Sequence, residues 1–332
     1  MRAFRLLTFI FLLVVVSFNC FASNDVNRQI GIIYLKNAAS KYLNNEYSSA
    51  ENFLEKADEF YPVSSDKKYI KALIQLKRDN NIVDSIQNMR DALERDKWLL
   101  FDKKRCIEDL TQLLFRTKKY EDIIDIINSK MHIEYEDKDL MYIYILCYKN
   151  IGDNDIFYRM LKENIKSNID DYRFGELYVD YDDNYSERVL NGEIKFKNKD
   201  GGLEVFYKAA MNIKDDLKRK KALQSYLSQG GKNIEAKIEF YKLEGLISED
   251  DLDSILKQNI FENPDLKNKL LSIVSFENMK NKINNAWSTY TGNIYYDYNG
   301  DKYYEELHLY DNGQPAGISI DNNQDGIIED MI

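Results

Sequence analysis

From Val26 to about Tyr172 apolar residues recur every three or four positions, the period of one face of an α-helix. Ile30, Ile33, Tyr34, Ala38 and Tyr42 mark a first helix, and a polar turn follows at Asn44-Asn45. Tyr47, Ala50, Phe53, Leu54 and Ala57 mark a second helix that stops near Pro62. The same phase recurs through Ala72 to Leu93, through Cys106, Leu110, Leu113, Tyr120, Ile123 and Ile127, and through Tyr142, Ile145, Cys147 and Phe157. It returns from Leu203 to Asn281, with natural stops at Gly230-Gly231 and Asn263-Pro264. With only three prolines in 332 residues, little interrupts these runs.

The period changes in two places. From Trp287 to Ile332 apolar and polar residues alternate, as Ile294 to Tyr298, Tyr303 to Tyr310, Gly317 to Ile320 and Ile327-Ile328. Asn299-Gly300, Asn312-Gly313 and Asp325-Gly326 separate these segments, which predicts a four-strand antiparallel meander. An earlier stretch carries similar punctuation: Asp180-Tyr181-Asp182, then Asn191-Gly192, then Asp200-Gly201. Aligned with the tail, it predicts a degenerate copy of the same β-module inserted between two helical halves.

The domain order expected is therefore a leader at 1–22, helical repeats at 26–172 and a small β-module at 173–204. A second helical region at 205–285 and a terminal β-meander at 286–332 complete it. The fold class is mainly α: a solenoid of helical hairpins with small antiparallel β-modules near 177–204 and at the C-terminus.

The leader changes the compartment. Arg2 and Arg5 precede an apolar run from Leu6 to Phe18, short for a membrane span but suited to a secretory signal. Cleavage after Ala22 leaves Ser23 first; cleavage before Cys20 leaves a cysteine that can be lipidated, as in bacterial lipoproteins. Both place the mature chain outside the cytoplasm, in the periplasm or at the cell surface, with a lipid anchor as its only tie to a membrane. There Cys106 and Cys147 could pair, or remain two buried small hydrophobes.

The formal net charge of −10 argues against nucleic acid as a partner, because phosphate backbones are repelled. The densest basic run, Lys214 to Lys221, contains Asp215 and Asp216 and belongs to a solvated helix face. The two histidines, His132 and His308, lie far apart, and no phosphate loop, nucleophile elbow or paired metal-ligand spacing occurs. No enzymatic activity and no organic cofactor are expected.

Two resemblances follow from the residues. Ala38, Tyr47, Ala50, Leu54, Ala57 and Pro62 resemble a tetratricopeptide repeat, in which small residues sit where two helices cross and proline follows the second. The ~35-residue step from Ala57 to Ala92 fits a second copy. That resemblance implies a concave helical face that binds a protein partner. The tail repeats D-x-N-x-D-x-x-x-E, as Asp297, Asn299, Asp301 and Glu305, and as Asp321, Asn323, Asp325 and Glu329. Its D-x-N-x-D-G core resembles calcium loops of the EF-hand and dockerin kind, which implies calcium held by those eight side chains. The twelfth loop position, occupied by glutamate in that pattern, is Ile332 here. Without a metal the same residues make Asx-turns between strands, and both readings stand. The function expected is an exported scaffold for protein–protein interaction, with a calcium-dependent surface or adhesion module as the alternative.

Overall fold

The computed structural model describes residues 25–130, 137–258, 261, 263–298, 303–324 and 328–331. The leader with Cys20, and His132, Asn299, Asp301 and Asp325, lie outside the described residues. The chain divides into two compact units, Met1–Met131 and His132–Ile332.

The first unit is built of three helical hairpins. They are α1 (25–43) with α2 (Tyr47–Phe60), α3 (Ser65–Asp79) with α4 (Ile82–Arg95), and α5 (Lys103–Arg116) with α6 (Tyr120–Lys130). Each hairpin turns through one left-handed residue: Asn45, Asn80 and Lys118. Asparagine tolerates that conformation because its short amide bonds locally; lysine gains nothing comparable and bears the cost. Side-chain caps on Ser64, Asn81 and Asp102 start α3, α4 and α5, each worth about 1 kcal/mol.

Small residues set the helix crossings. Ala38, Ala50, Ala57, Ala72 and Ala92 are all buried, the positions that the repeat resemblance requires. At Gly31 of α1 a Cβ would stand 2.7 Å from the Cβ of Tyr61, so glycine lets α1 close onto the end of α2. Leu35, Leu54, Ile70 and Ile74 fill the space between the crossings.

The second unit continues in helices and ends in a sheet. Its helices are α7 (Lys138–Asn150), α8 (Asn154–Ser167), α9 (Tyr172–Tyr178), α10 (Asp183–Leu190) and α11 (Lys199–Met211). They continue as α12 (Asp216–Ser228), α13 (Ile234–Glu244), α14 (Glu249–Leu256), α15 (Pro264–Ile273) and α16 (Glu277–Ser288). One core gathers Ile145, Phe157, Phe174, Val205 and Tyr226; another gathers Ile238, Leu252, Ile255, Leu270 and Ile283.

The β-module expected at 173–204 is not there; the segment is helical. Its acidic and Asn-Gly signals are helix caps. Asp171, Asp182 and Asn198 accept backbone N–H bonds at the starts of α9, α10 and α11. Asn191 ends α10, and Gly192, at φ +72°, makes the left-handed exit, with Glu193 N–H donating to the Arg188 carbonyl. Phe174, Tyr178, Tyr185 and Val189 bury one side of these short helices, which decides the outcome.

The terminal meander is as expected in topology: β1 (Gly292–Tyr296), β2 (Glu306–Asp311), β3 (Gln314–Ile320) and β4 (Asp330–Met331) pair antiparallel in sequence order. Two strands start later than the alternation predicts. Tyr303 and Tyr304 lie in the loop before β2, and Ile328 lies before β4. The central turn places both Asn312 (φ +49°) and Gly313 (φ +71°) in the left-handed region, the form that matches strand twist. A register shift at Leu309/Tyr310 faces Pro315, which has no N–H to give the ladder. The turn is fixed to the end of α16: Gly313 N–H donates to the Tyr290 carbonyl at 2.8 Å, and Tyr310 packs edge-on against Trp287.

Candidate functional site

Two regions carry the expected chemistry, and they are built differently. In the first unit the hairpins are cross-linked by polar side chains. Lys68 of α3 donates to Asp91 at 2.7 Å and to Asn88 at 3.3 Å on α4, and Asn88 donates to Gln75. The hydrogen bond from Lys68 holds the Asp91 carboxyl below the usual range. Arg90 reaches Asp122 on α6 at 2.6 Å, joining the second hairpin to the third.

The strongest polar feature of this unit was missed in the sequence. Asp66, fully buried in the first turn of α3, accepts backbone N–H bonds from Leu99, Leu100 and Phe101. Ser65 beside it accepts from Lys97 N–H and donates to the Ala92 carbonyl. Together they clasp the segment that leads into α5. The run Ser64-Ser65-Asp66 after Pro62 resembles an ordinary helix start, and nothing local shows that its partners are some thirty residues away.

In the meander, the described ends of the two acidic loops make the same hydrogen bonds. Glu305 N–H donates to the Tyr296 carbonyl, and Glu329 N–H donates to the Ile320 carbonyl. The Glu305 carboxylate accepts from Tyr298 N–H at 2.9 Å, and the Glu329 carboxylate accepts from Asn322 N–H at 3.0 Å. Each glutamate therefore closes its loop by bonding the residue after the leading aspartate, and the next strand starts directly after it. This closure is why β2 and β4 begin late.

The structure brings the loops together at one end of the sheet. Asp321 N–H donates to the Glu305 carbonyl at 2.9 Å, and buried Gln324 donates to the Tyr303 carbonyl at 3.2 Å. Of the eight residues predicted to hold calcium, Asp297, Glu305, Asp321, Asn323 and Glu329 are described; Asn299, Asp301 and Asp325 are not. Among the described residues no three His, Cys, Asp or Glu side chains converge as a metal-binding group. Glu305 is buried and Glu329 exposed, so the two loops offer unequal environments.

The remaining candidates are quickly placed. His308 sits half-buried on β2, its Nε2 2.7 Å from the Glu306 carboxylate and its ring centroid 4.4 Å from that of Tyr296. Cys106 and Cys147 are both free and buried, and desolvation pushes the Cys147 thiol up to about 12. Such thiols behave as small hydrophobes. No helix among the described residues is long and apolar enough to cross a membrane.

Helical hairpins that bury small residues at repeated positions, followed by a small antiparallel meander, define the class: a helical-repeat protein with an appended β-module. Comparison adds loose likenesses of fold. No known family and no curated protein matches the sequence. The solved structure of pilF from Pseudomonas aeruginosa is 12% identical, with a TM-score of 0.38, over 78% of this chain and 98% of that one. Naa15/Naa10 bound to HypK-THB is 13% identical, with a TM-score of 0.39, over 78% of this chain and 40% of that one. Neither likeness transfers a residue or a role to this chain.

Proposed function

We propose that the protein is a non-enzymatic, exported scaffold that binds another protein through the concave face of its helical hairpins. The carrying observation is the repeated crossing geometry of the first unit, with Ala57 and Ala92 buried at equivalent places in successive hairpins. Such hairpins bury one face by stacking and leave another free for a partner. The test is stoichiometric co-purification of full-length protein from its native envelope. Charge reversal at Lys36 and Lys71, exposed on the first helices of two hairpins, is expected to release the partner without lowering the melting temperature. A chain that purifies alone, or a partner indifferent to substitutions across all three hairpins, would refute the reading. Export is tested by intact mass: a start at Ser23 makes the mature chain soluble, and an acylated start at Cys20 ties it to a membrane. A start at Met1 in the membrane fraction is an uncleaved N-terminal anchor; a start at Met1 in the cytoplasmic fraction removes export from the proposal.

A second reading has its own observation. The two adjacent loops closed alike by Glu305 and Glu329 support a calcium-dependent surface or adhesion module. The eight loop side chains at 297, 299, 301, 305, 321, 323, 325 and 329 would supply hard oxygens. A ligand held only by the folded state stabilises it by about 2.7 kcal/mol at a hundredfold excess over Kd. Calcium, but not magnesium, is then expected to raise the melting temperature, and Asp321→Ala to abolish the rise. An unchanged melting temperature at millimolar calcium leaves the loops as Asx-turns.

A further inference from the structure

The segment first expected to be a β-module encloses a feature that neither reading above uses. A cavity of about 460 Å³ lies between the loop at 191–198, the start of α11 and the end of α12. That volume falls in the range of cavities that take small ligands, about 300–1,000 Å³. Buried Val189, Ile194 and Phe206 line it, with half-buried Leu203 and Phe196 beside them. Gly202 keeps this wall in place, because a Cβ there would stand 2.9 Å from Phe196.

The charge around it is one-sided. Lys195 and Lys199 line the cavity, both exposed, and no carboxylate does, in a chain whose acids outnumber its bases by 56 to 46. Neither ammonium is ion-paired or hydrogen-bonded to another described residue. Lys199 is also the first residue of α11, where the helix dipole opposes a positive charge and favours an anion. Asp200 follows it but does not line the cavity.

Two other cavities of this unit show the contrast. One holds Lys138, Lys197 and Arg173 with two aspartates; Lys197 pairs with Asp170 at 2.7 Å and Arg173 with Asp171 at 2.9 Å. Another holds Lys242 and Lys269, which are matched by Glu239 and Glu235. Both of these cavities set carboxylates beside their positive charges. The cavity at Lys195 and Lys199 sets none.

We propose that this cavity binds an aliphatic carboxylate, its tail against Val189, Ile194, Leu203 and Phe206 and its head group between Lys195 and Lys199. Leu203 and Phe196 keep part of their apolar surface exposed beside the buried wall; a hydrocarbon tail covers it and is itself removed from water, and the head group supplies the missing negative charge. This site is independent of the helical-repeat and calcium readings.

The experiment is calorimetric titration of full-length protein with hexanoate, octanoate and decanoate, with decylamine as the cationic control. Affinity is expected to rise about fourfold per added methylene, the ratio set by burying one CH₂. The double variant Lys195→Ala/Lys199→Ala, at exposed positions, is expected to weaken all three acids by roughly three- to tenfold while keeping the chain-length increment. Leu203→Asn is expected to flatten that increment instead, with the melting temperature reporting that each variant folds. An affinity that ignores chain length overturns the proposal. So does decylamine binding as tightly as decanoate, or a double lysine variant that binds like the parent.

Discussion

Residues 177–204 and 292–331 use the same polar vocabulary and fold oppositely. Each contains an Asn-Gly pair whose glycine sits near φ +70°, Gly192 at +72° and Gly313 at +71°. Each sets aspartate and asparagine between its elements. In the first stretch these residues cap helices; in the second they turn strands. The difference lies in what flanks them. Phe174, Tyr178, Tyr185 and Val189 fall on the buried side of short helices, whereas Ile294, Tyr296, His308 and Tyr310 alternate along strands. Turn residues mark where an element ends, and the apolar period around them says which element it is.

The two glycines give the largest test of that comparison. Alanine at Gly313 meets a left-handed backbone and also the Trp287 carbonyl oxygen, 2.6 Å from its Cβ. That oxygen is fixed in the main chain of α16, so neither side can yield. Gly313→Ala is expected to cost about 3 kcal/mol or more and to disturb the fluorescence of Trp287, which packs on Tyr310. Alanine at Gly192 meets the same backbone strain but open space, with nothing within 4 Å. Gly192→Ala is expected to cost only about 1 kcal/mol. Urea unfolding of both variants measures the pair. Equal losses would mean that backbone strain alone matters and that the contact of the meander with α16 contributes nothing.

The legibility of the sequence follows from the same distinction. The hairpins of the first unit were readable because Ala38, Ala50 and Ala57 mark crossings within one local unit, and Asn44-Asn45 marks the turn between them. The meander was readable because each strand pairs with its neighbour in sequence. Helices α9 and α10 were missed because they are short, with 7 and 8 residues, so their period shows only two turns before a cap intervenes. The Asp66 clasp was missed because its partners at Leu99 to Phe101 are distant in sequence. The acidic pairs at 297–305 and 321–329 were visible as a repeat, but the adjacency of their loops was not. It depends on the register that sets Glu306 opposite Ile320.

A middle-sized effect sharpens the comparison inside the meander itself. Glu305 and Glu329 make equivalent bonds, but Glu305 is 3% exposed and Glu329 lies in solvent. Removing a buried acceptor strands its donor, at about 1–3 kcal/mol, whereas water replaces an exposed one. Glu305→Ala is expected to cost roughly 2 kcal/mol and Glu329→Ala less than about 1 kcal/mol. Thermal unfolding of the two variants separates them. A larger loss at Glu329 would show that the second loop, not the first, anchors the sheet.

The smallest effect is electrostatic and distinguishes the meander from the helical segment by pH. The hydrogen bond from His308 holds the Glu306 carboxyl below the usual range. Its folded pKa is thus lower than its unfolded one, so the folded state binds the proton less readily. The resulting stability is complete above the ordinary glutamate value near 4.3 and is lost as pH falls through the folded value. Carboxyl titration by NMR is expected to place Glu306 below the exposed glutamates, and His308→Gln to move it back toward them. The same substitution should leave the acid dependence of α9 to α11 unchanged, because their caps are tied to backbone N–H groups rather than to the imidazole. A Glu306 titration that stays low in His308→Gln would transfer the effect to Tyr298, whose hydroxyl also bonds that carboxylate.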